Sequence, residues 1–146
     1  VYLLGRITLV PDYHIARIGN KRILFIGGAI SIDRKLRTKG VDYFPEEEIR
    51  PPTGEELHRI KTAPIDIIVS HDAPLCAGKN PSTLWDDPDN PVKTDAIRGR
   101  KILSEIQEIV RPKHWFYGHY HFSGVDKIDG TEFRCLNVNE FYEFKS

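Results

Sequence analysis

The apolar positions change period several times along the chain, and each change marks an element. Ile102, Leu103, Ile106, Ile109 and Val110 recur at i, i+1, i+4, i+7 and i+8. That is one stripe of a helix, with Thr94 placed as its cap and Pro112 as its stop. Thr53 is an N-cap residue type, with Glu55 and Glu56 in the following turn and Leu57 and Ile60 apolar, which predicts a shorter helix. Tyr13 to Ile18 and Arg22 to Ile26 are β-prone runs around Gly19-Asn20, and Phe122 to Ile128 and Thr131 to Val138 flank Asp129-Gly130. Both pairs carry a hairpin signal. Ile65 to Val69 is apolar enough for a buried strand, and His114 to Tyr117 forms another. Ser31 to Pro52 is polar and irregular, and Cys76 to Pro91 reads as a surface loop. Helices alternating with strands in the middle and hairpins at both ends predict an α/β fold, a mixed sheet covered by helices.

Composition narrows the class. A chain of 146 residues, 40% hydrophobic, is one domain or part of a larger one. Its apolar runs are too short for a membrane span, so no membrane partner is expected. Twenty-one basic residues balance 21 acidic ones with no basic block, which does not indicate a nucleic-acid partner. Cys76 and Cys135 form neither a disulfide framework nor a C-x-x-C site, and the N-terminus lacks signal-peptide architecture. A reduced, cytoplasmic protein is expected. The first residue is Val1 and no Met occurs, which fits a processed start or a start within a domain equally well.

The chemistry concentrates at two strand ends. Gly118-His119-Tyr120-His121 follows one strand, and Ser70-His71-Asp72 closes another. With this composition a G-H-x-H match is expected roughly 0.02 times by chance. If the two strands are parallel neighbours, the helix between them returns the chain and their carboxyl ends share one edge. His71, His119 and His121 would then converge. Imidazoles with open positions beside them suit a catalytic Zn, Fe, Mn or Ni site. Asp72 is either a carboxylate orienting the His71 ring or a turn residue beside Pro74. His14, His58 and His114 have no convergent partner.

Three segments in order, Gly27-Gly28-Ala29-x-Ser31-x-Asp33-Arg34, Ser70-His71-Asp72-Ala73-Pro74 and Gly118-His119-Tyr120-His121, resemble the C-terminal half of a calcineurin-like metallophosphoesterase. The likeness runs over most of residues 22–124. It implies a β-sandwich flanked by helices (α/β/β/α) and hydrolysis of phosphomonoesters or phosphodiesters with two divalent ions, Mn foremost and Fe, Ni or Zn as alternatives. It further implies that His71 and His119 bind one ion and His121 the other. Arg34, and beside it Lys35 and Arg37, are read either as cationic contacts to the phosphoester substrate or as solvated loop charges. The aromatics of Tyr43-Phe44-Pro45-Glu46-Glu47 are expected to pack their loop.

The departures from the family pattern matter as much. Its G-D and G-N-H motifs are missing, and with them the carboxylate bridge and the transition-state histidine, so no catalytic residue is assigned here. Asp12-Tyr13-His14 matches D-x-H, but roughly 0.5 such matches are expected by chance, and this one enters a hairpin. Gly19-Asn20 reads as a turn. Residues 1–146 are therefore expected to form the C-terminal portion of the domain, starting downstream of G-N-H, with the N-terminal half as the missing partner. Two divalent ions about 3.5 Å apart repel by roughly 19 kcal/mol even at an effective dielectric of 20. Three neutral imidazoles cannot offset that. Alternatives to the hydrolase are a non-catalytic binding scaffold and a mononuclear metal-binding protein.

Overall fold

Where the sequence carries a turn residue that tolerates a left-handed backbone, the chain reverses as expected. Strands β1 (Tyr2–Leu4) and β2 (Ile7–Leu9) form a separate two-stranded antiparallel sheet. Strands β3 (His14–Ile18) and β4 (Lys21–Ile26) pair around Gly19, whose φ is 60°. Further along lie α1 (Gly54–Thr62), β5 (Ile67–Ser70), α2 (Pro91–Val110) and β6 (His114–Tyr117). The last hairpin joins β7 (Gly124–Ile128) to β8 (Thr131–Cys135) through Asp129 and Gly130, at φ 49° and 83°. Positive φ at both turn positions matches the twist of the strands. This computed structural model describes residues 2–4, 7–31, 33–78 and 91–144.

The main sheet has the order β3-β4-β5-β6-β8-β7, with β4, β5, β6 and β8 parallel and an antiparallel strand at each edge. The α/β class expected from the sequence is what the structure shows. Register decides which side chains share a face. Leu24, Ile68, Trp115 and Phe133 are cross-strand partners in succession. They pack beneath Ile60 of α1 and Leu103 and Ile106 of α2 in one buried cluster. Each such side chain contributes about 1.5–3 kcal/mol on full burial. The opposite face carries Ile23, Ile67 and His114 in one row and Phe25, Val69, Phe116 and Arg134 in the next. The chain after β8 crosses it, with Tyr142 5.5 Å from Phe116 and Phe144 5.0 Å from His114 between ring centres. An apolar groove of about 590 Å³ stays open beside these rings, along Ile18, Ile23 and Val69. On this face His114 Nδ1 and Arg134 Nε are buried and find no hydrogen-bond partner among the described residues.

Both helices obey local rules, with one correction. Thr53 and Glu56 close a reciprocal capping box on α1, and Glu56 also takes two hydrogen bonds from Arg50, at 2.7 and 2.8 Å. The second helix begins at Pro91, so Thr94 lies inside its first turn and is not its cap. Proline fits that start because its φ is preset and its missing N–H would have no partner there. Of the Cys76–Pro91 loop, residues 79–90 lie outside the described residues. The helix ends as expected, with Arg111 turning left-handed at φ 47° before Pro112. No helix among the described residues is long and apolar enough to cross a membrane.

Candidate metal centre

Because β4, β5 and β6 are parallel, the segments that leave them meet at one edge. From β4 comes Gly27-Gly28, from β5 His71-Asp72, and from β6 the tetrad beginning at Gly118. Open parallel sheets bind ligands at this carboxyl edge. The Gly118 N–H donates to the His71 carbonyl at 3.1 Å, which ties the two histidine-bearing segments together. The His71 and His119 rings stand edge to face, 5.1 Å apart between centres. With His121 they line a cavity of about 730 Å³, whose remaining wall includes Gly28, Ala29, Ser31, Asp33, Arg37 and Glu47. The expected convergence of the three histidines on one space is therefore present, whereas His14, His58 and His114 do not line it.

The backbone at this edge is unusual. His119 and His121 both adopt left-handed conformations, φ 68° and 53°. Such conformations are disfavoured for residues with a Cβ and persist where surrounding contacts dictate them. Gly28, at φ 89°, lets residues 47–49 run beside it, and the Ala29 N–H donates to the Glu47 carbonyl at 2.9 Å. Gly27 gives its N–H to Asp12 Oδ1 at 2.8 Å, which occupies that Asp12 oxygen with the strand end, in keeping with the hairpin reading of Asp12-Tyr13-His14.

Electrostatics favour the neutral form of His119. Burial holds the His119 pKa below its ordinary value, and His71 and His121 push the same way. Asp72 and hydrogen bonding to the Ile30 backbone oppose the shift. Neutral imidazole is the form that ligates metals, and a backbone partner on such a ring commonly fixes its orientation.

The structure gives Asp72 and Arg34 partners within the protein, and for Asp72 these fit the turn alternative. Asp72 is buried, and its Oδ1 accepts from the Tyr120 hydroxyl at 2.5 Å and the Ala73 N–H at 2.7 Å, not from the His71 ring. A carboxylate directly after a strand end reaches its own loop more easily than the preceding ring. Arg34 donates to Glu48 at 2.8 Å and to Asp95 of α2, which pins the loop to the helix away from the cavity wall. Arg37 is the arginine that lines the cavity, held bidentately by Asp33 at 2.9 and 3.0 Å. Tyr43 donates its hydroxyl to Glu48 and lies under the Arg34 guanidinium, so it packs the loop as expected.

Sequence reasoning passed over Arg100, which is 2% exposed and donates to the carbonyls of Ala73, Pro74 and Ala77. The signal was available. Arg100 stands four residues after Ala96 and three before Leu103, on the buried stripe of α2. Tyr120 was equally legible as the one large aromatic between the two histidines.

Among the described residues, no three His, Cys, Asp or Glu side chains are gathered closely enough to hold a metal ion. Chemically three imidazoles facing one open cavity could form one wall of a metal site, and they do not by themselves complete one. In comparisons with known proteins, the chain matches no family model and no curated relative.

Proposed function

We propose that this chain supplies the histidine wall of a metal-dependent phosphoester hydrolase of the calcineurin-like type. The observation that carries this reading is the meeting of His71, His119 and His121 on one 730 Å³ cavity at the carboxyl edge of parallel strands. His71 and His119 would hold one divalent ion and His121 a second, with Mn the first choice and Fe, Ni or Zn able to serve. When bound there, such ions lower the pKa of a water and neutralise charge on phosphoryl oxygens. The chain's own residues orient and surround. His119 stays neutral, so no proton competes for its nitrogen, and Arg37 at the rim takes the phosphate-contact role in place of Arg34. The carboxylate donors that a dinuclear centre needs come from a segment beyond these 146 residues, the N-terminal half of the domain. The apolar sheet face opposite the helices supports the sandwich arrangement, because a second sheet packing there would cover Ile23, Val69 and Phe116.

The test is hydrolysis of p-nitrophenyl phosphate and bis(p-nitrophenyl) phosphate with Mn²⁺ by the protein extended to include the N-terminal half. Activity is expected, and His119→Ala should abolish it; undiminished turnover in that variant would overturn the site. Calorimetric titration of the 146-residue chain with Mn²⁺ should show at most one weakly held ion. Two tightly held ions would refute the division of the site between segments. A one-ion site without hydrolysis is the second reading, resting on the His71 and His119 rings 5.1 Å apart. An inactive extended protein that still binds one ion would establish it.

A further inference from the structure

We propose that Tyr120 is the positioning residue of the histidine wall, its buried hydroxyl clamping the two left-handed histidines beside it to the segment that carries His71. The inference concerns the same site as the proposed function and deepens it. Its first support is backbone conformation. Left-handed residues on both sides of Tyr120 place His119 and His121 along the cavity, which Tyr120, only 8% exposed, also lines. Two disfavoured conformations in three residues need contacts that dictate them.

Those contacts converge on the Tyr120 side chain. Its ring meets His119 at 5.2 Å, Tyr117 at 6.0 Å and Phe122 at 6.2 Å between centres. The third φ-positive neighbour, Gly78, must be glycine at this spot, since a Cβ would lie 2.9 Å from Tyr120 Cε2. The hydroxyl then reaches across to the other strand end and donates to Asp72, the residue after His71. Asp72 is fixed in turn by the Ala73 N–H, with the Arg100 guanidinium 4.0 Å away. Arg100 holds the same loop to α2 through the Ala73 and Pro74 carbonyls, both at 2.9 Å. Tyr120 thus joins the tetrad to a loop already fastened from behind, and the 5.1 Å spacing of the His71 and His119 rings depends on that join. Partners one bond removed from a ligand typically change metal affinity by about 10–100-fold when lost.

The experiment compares the 146-residue chain with its Tyr120→Phe variant, which keeps the ring and removes one hydroxyl. Without metal, NMR of the unaltered protein should show a cross-ring NOE between His71 and His119. It should also show strong intraresidue HN–Hα NOEs at His119 and His121, the signature of positive φ. In Y120F these should weaken by more than half while core NOEs of Trp115 and Phe133 persist. A purely structural tyrosine would lower the melting temperature and leave the histidine NOEs intact, and that result would overturn the proposal. Titration with Co²⁺ should show affinity reduced about tenfold in Y120F, and unchanged affinity would also count against it. If the unaltered 146-residue chain binds no Co²⁺, the NOEs alone decide the positioning role, and the metal reading is decided by the extended protein. Should Y120F not fold, the Tyr120 hydroxyl proton of the unaltered protein decides. Slow exchange with water supports the clamp; exchange at the rate of a free hydroxyl refutes it.

Discussion

Replacing Gly28 by alanine should destabilise the protein by about 3 kcal/mol, against about 1 kcal/mol for the same replacement at Gly40. The two glycines have nearly the same left-handed backbone, φ 89° and 82°. The strain of placing an L-residue there, about 1–2 kcal/mol, is therefore common to both. What differs is the surroundings. A Cβ on Gly40 meets nothing within 4 Å, whereas on Gly28 it lies 2.8 Å from the Glu47 carbonyl oxygen and 2.9 Å from the Ile49 nitrogen. These are backbone atoms, and they cannot swing aside as the end of a side chain can. The segment is anchored by the Ala29 to Glu47 hydrogen bond of 2.9 Å and by Ile49, whose Cδ1 would lie 3.4 Å from a Cβ placed on Gly99 of α2. Shifting it by about 0.5 Å to restore ordinary contact strains that hydrogen bond, worth about 1 kcal/mol net. It also loosens the Ile49 packing, at about 1 kcal/mol. Urea denaturation followed by far-UV circular dichroism measures both variants. Equal losses at the two positions would refute the reasoning, since backbone conformation alone would then account for Gly28.

Two other perturbations follow from named partners. Hydrogen bonds from Arg50 lead the causes that hold the Glu56 carboxyl at about 2, below its ordinary 4.5. A depressed carboxyl stabilises the fold above the unfolded-state pKa, and the gain disappears as pH falls from 4.5 through 2. With Arg50 half-exposed, the loss should be about 1.5 kcal/mol. Glu56→Gln, which keeps the capping geometry, should flatten that limb of a pH-dependent denaturation series; an unchanged limb would exclude Glu56 as its source. Arg34→Gln should lower stability by about 2 kcal/mol by leaving Glu48 and Asp95 short of a partly buried partner. It should leave the KM of the extended protein for bis(p-nitrophenyl) phosphate unchanged, and a raised KM would return Arg34 to the substrate.

The sequence was most legible where a feature is local. The Thr53 to Glu56 box spans four residues and the Asp129-Gly130 turn two, so composition and spacing suffice to foresee them. The parallel adjacency of β5 and β6, only a condition in the sequence reading, is present in the sheet. Strands of three residues, as in β1 and β2, are too short to show an alternating period, and they went unforeseen. The start of α2 was misplaced because Thr94 is a good cap in isolation, while Pro91 is good only as a first-turn residue. At the site, histidines following strand ends were readable because strand direction fixes where they emerge. The partners of the charged groups were not. Asp72 is matched with Tyr120 across 48 positions and Arg34 with Asp95 across 61, pairings that exist only after the sheet has closed.

Those pairings bear on where the anionic donors of the proposed metal pair must lie. Asp72 has one oxygen committed to Tyr120 and Ala73 beneath the wall, with Arg100 4.0 Å away. Asp33 lines the cavity, yet it accepts two hydrogen bonds from Arg37 and one from Ser31. Using either carboxylate as a ligand would break contacts that hold the wall in shape. At Asp72 it would also weaken the charge balance of a buried arginine, which is strongly unfavourable. Glu47 also lines the cavity, but one carboxylate cannot offset a repulsion of roughly 19 kcal/mol between two divalent ions. Asp72 and Asp33 are therefore engaged in holding the wall that carries the three histidines. Under the proposed function, a dinuclear centre on it would require carboxylates that approach from across the cavity, and the 146-residue chain alone is expected to bind at most a single ion weakly.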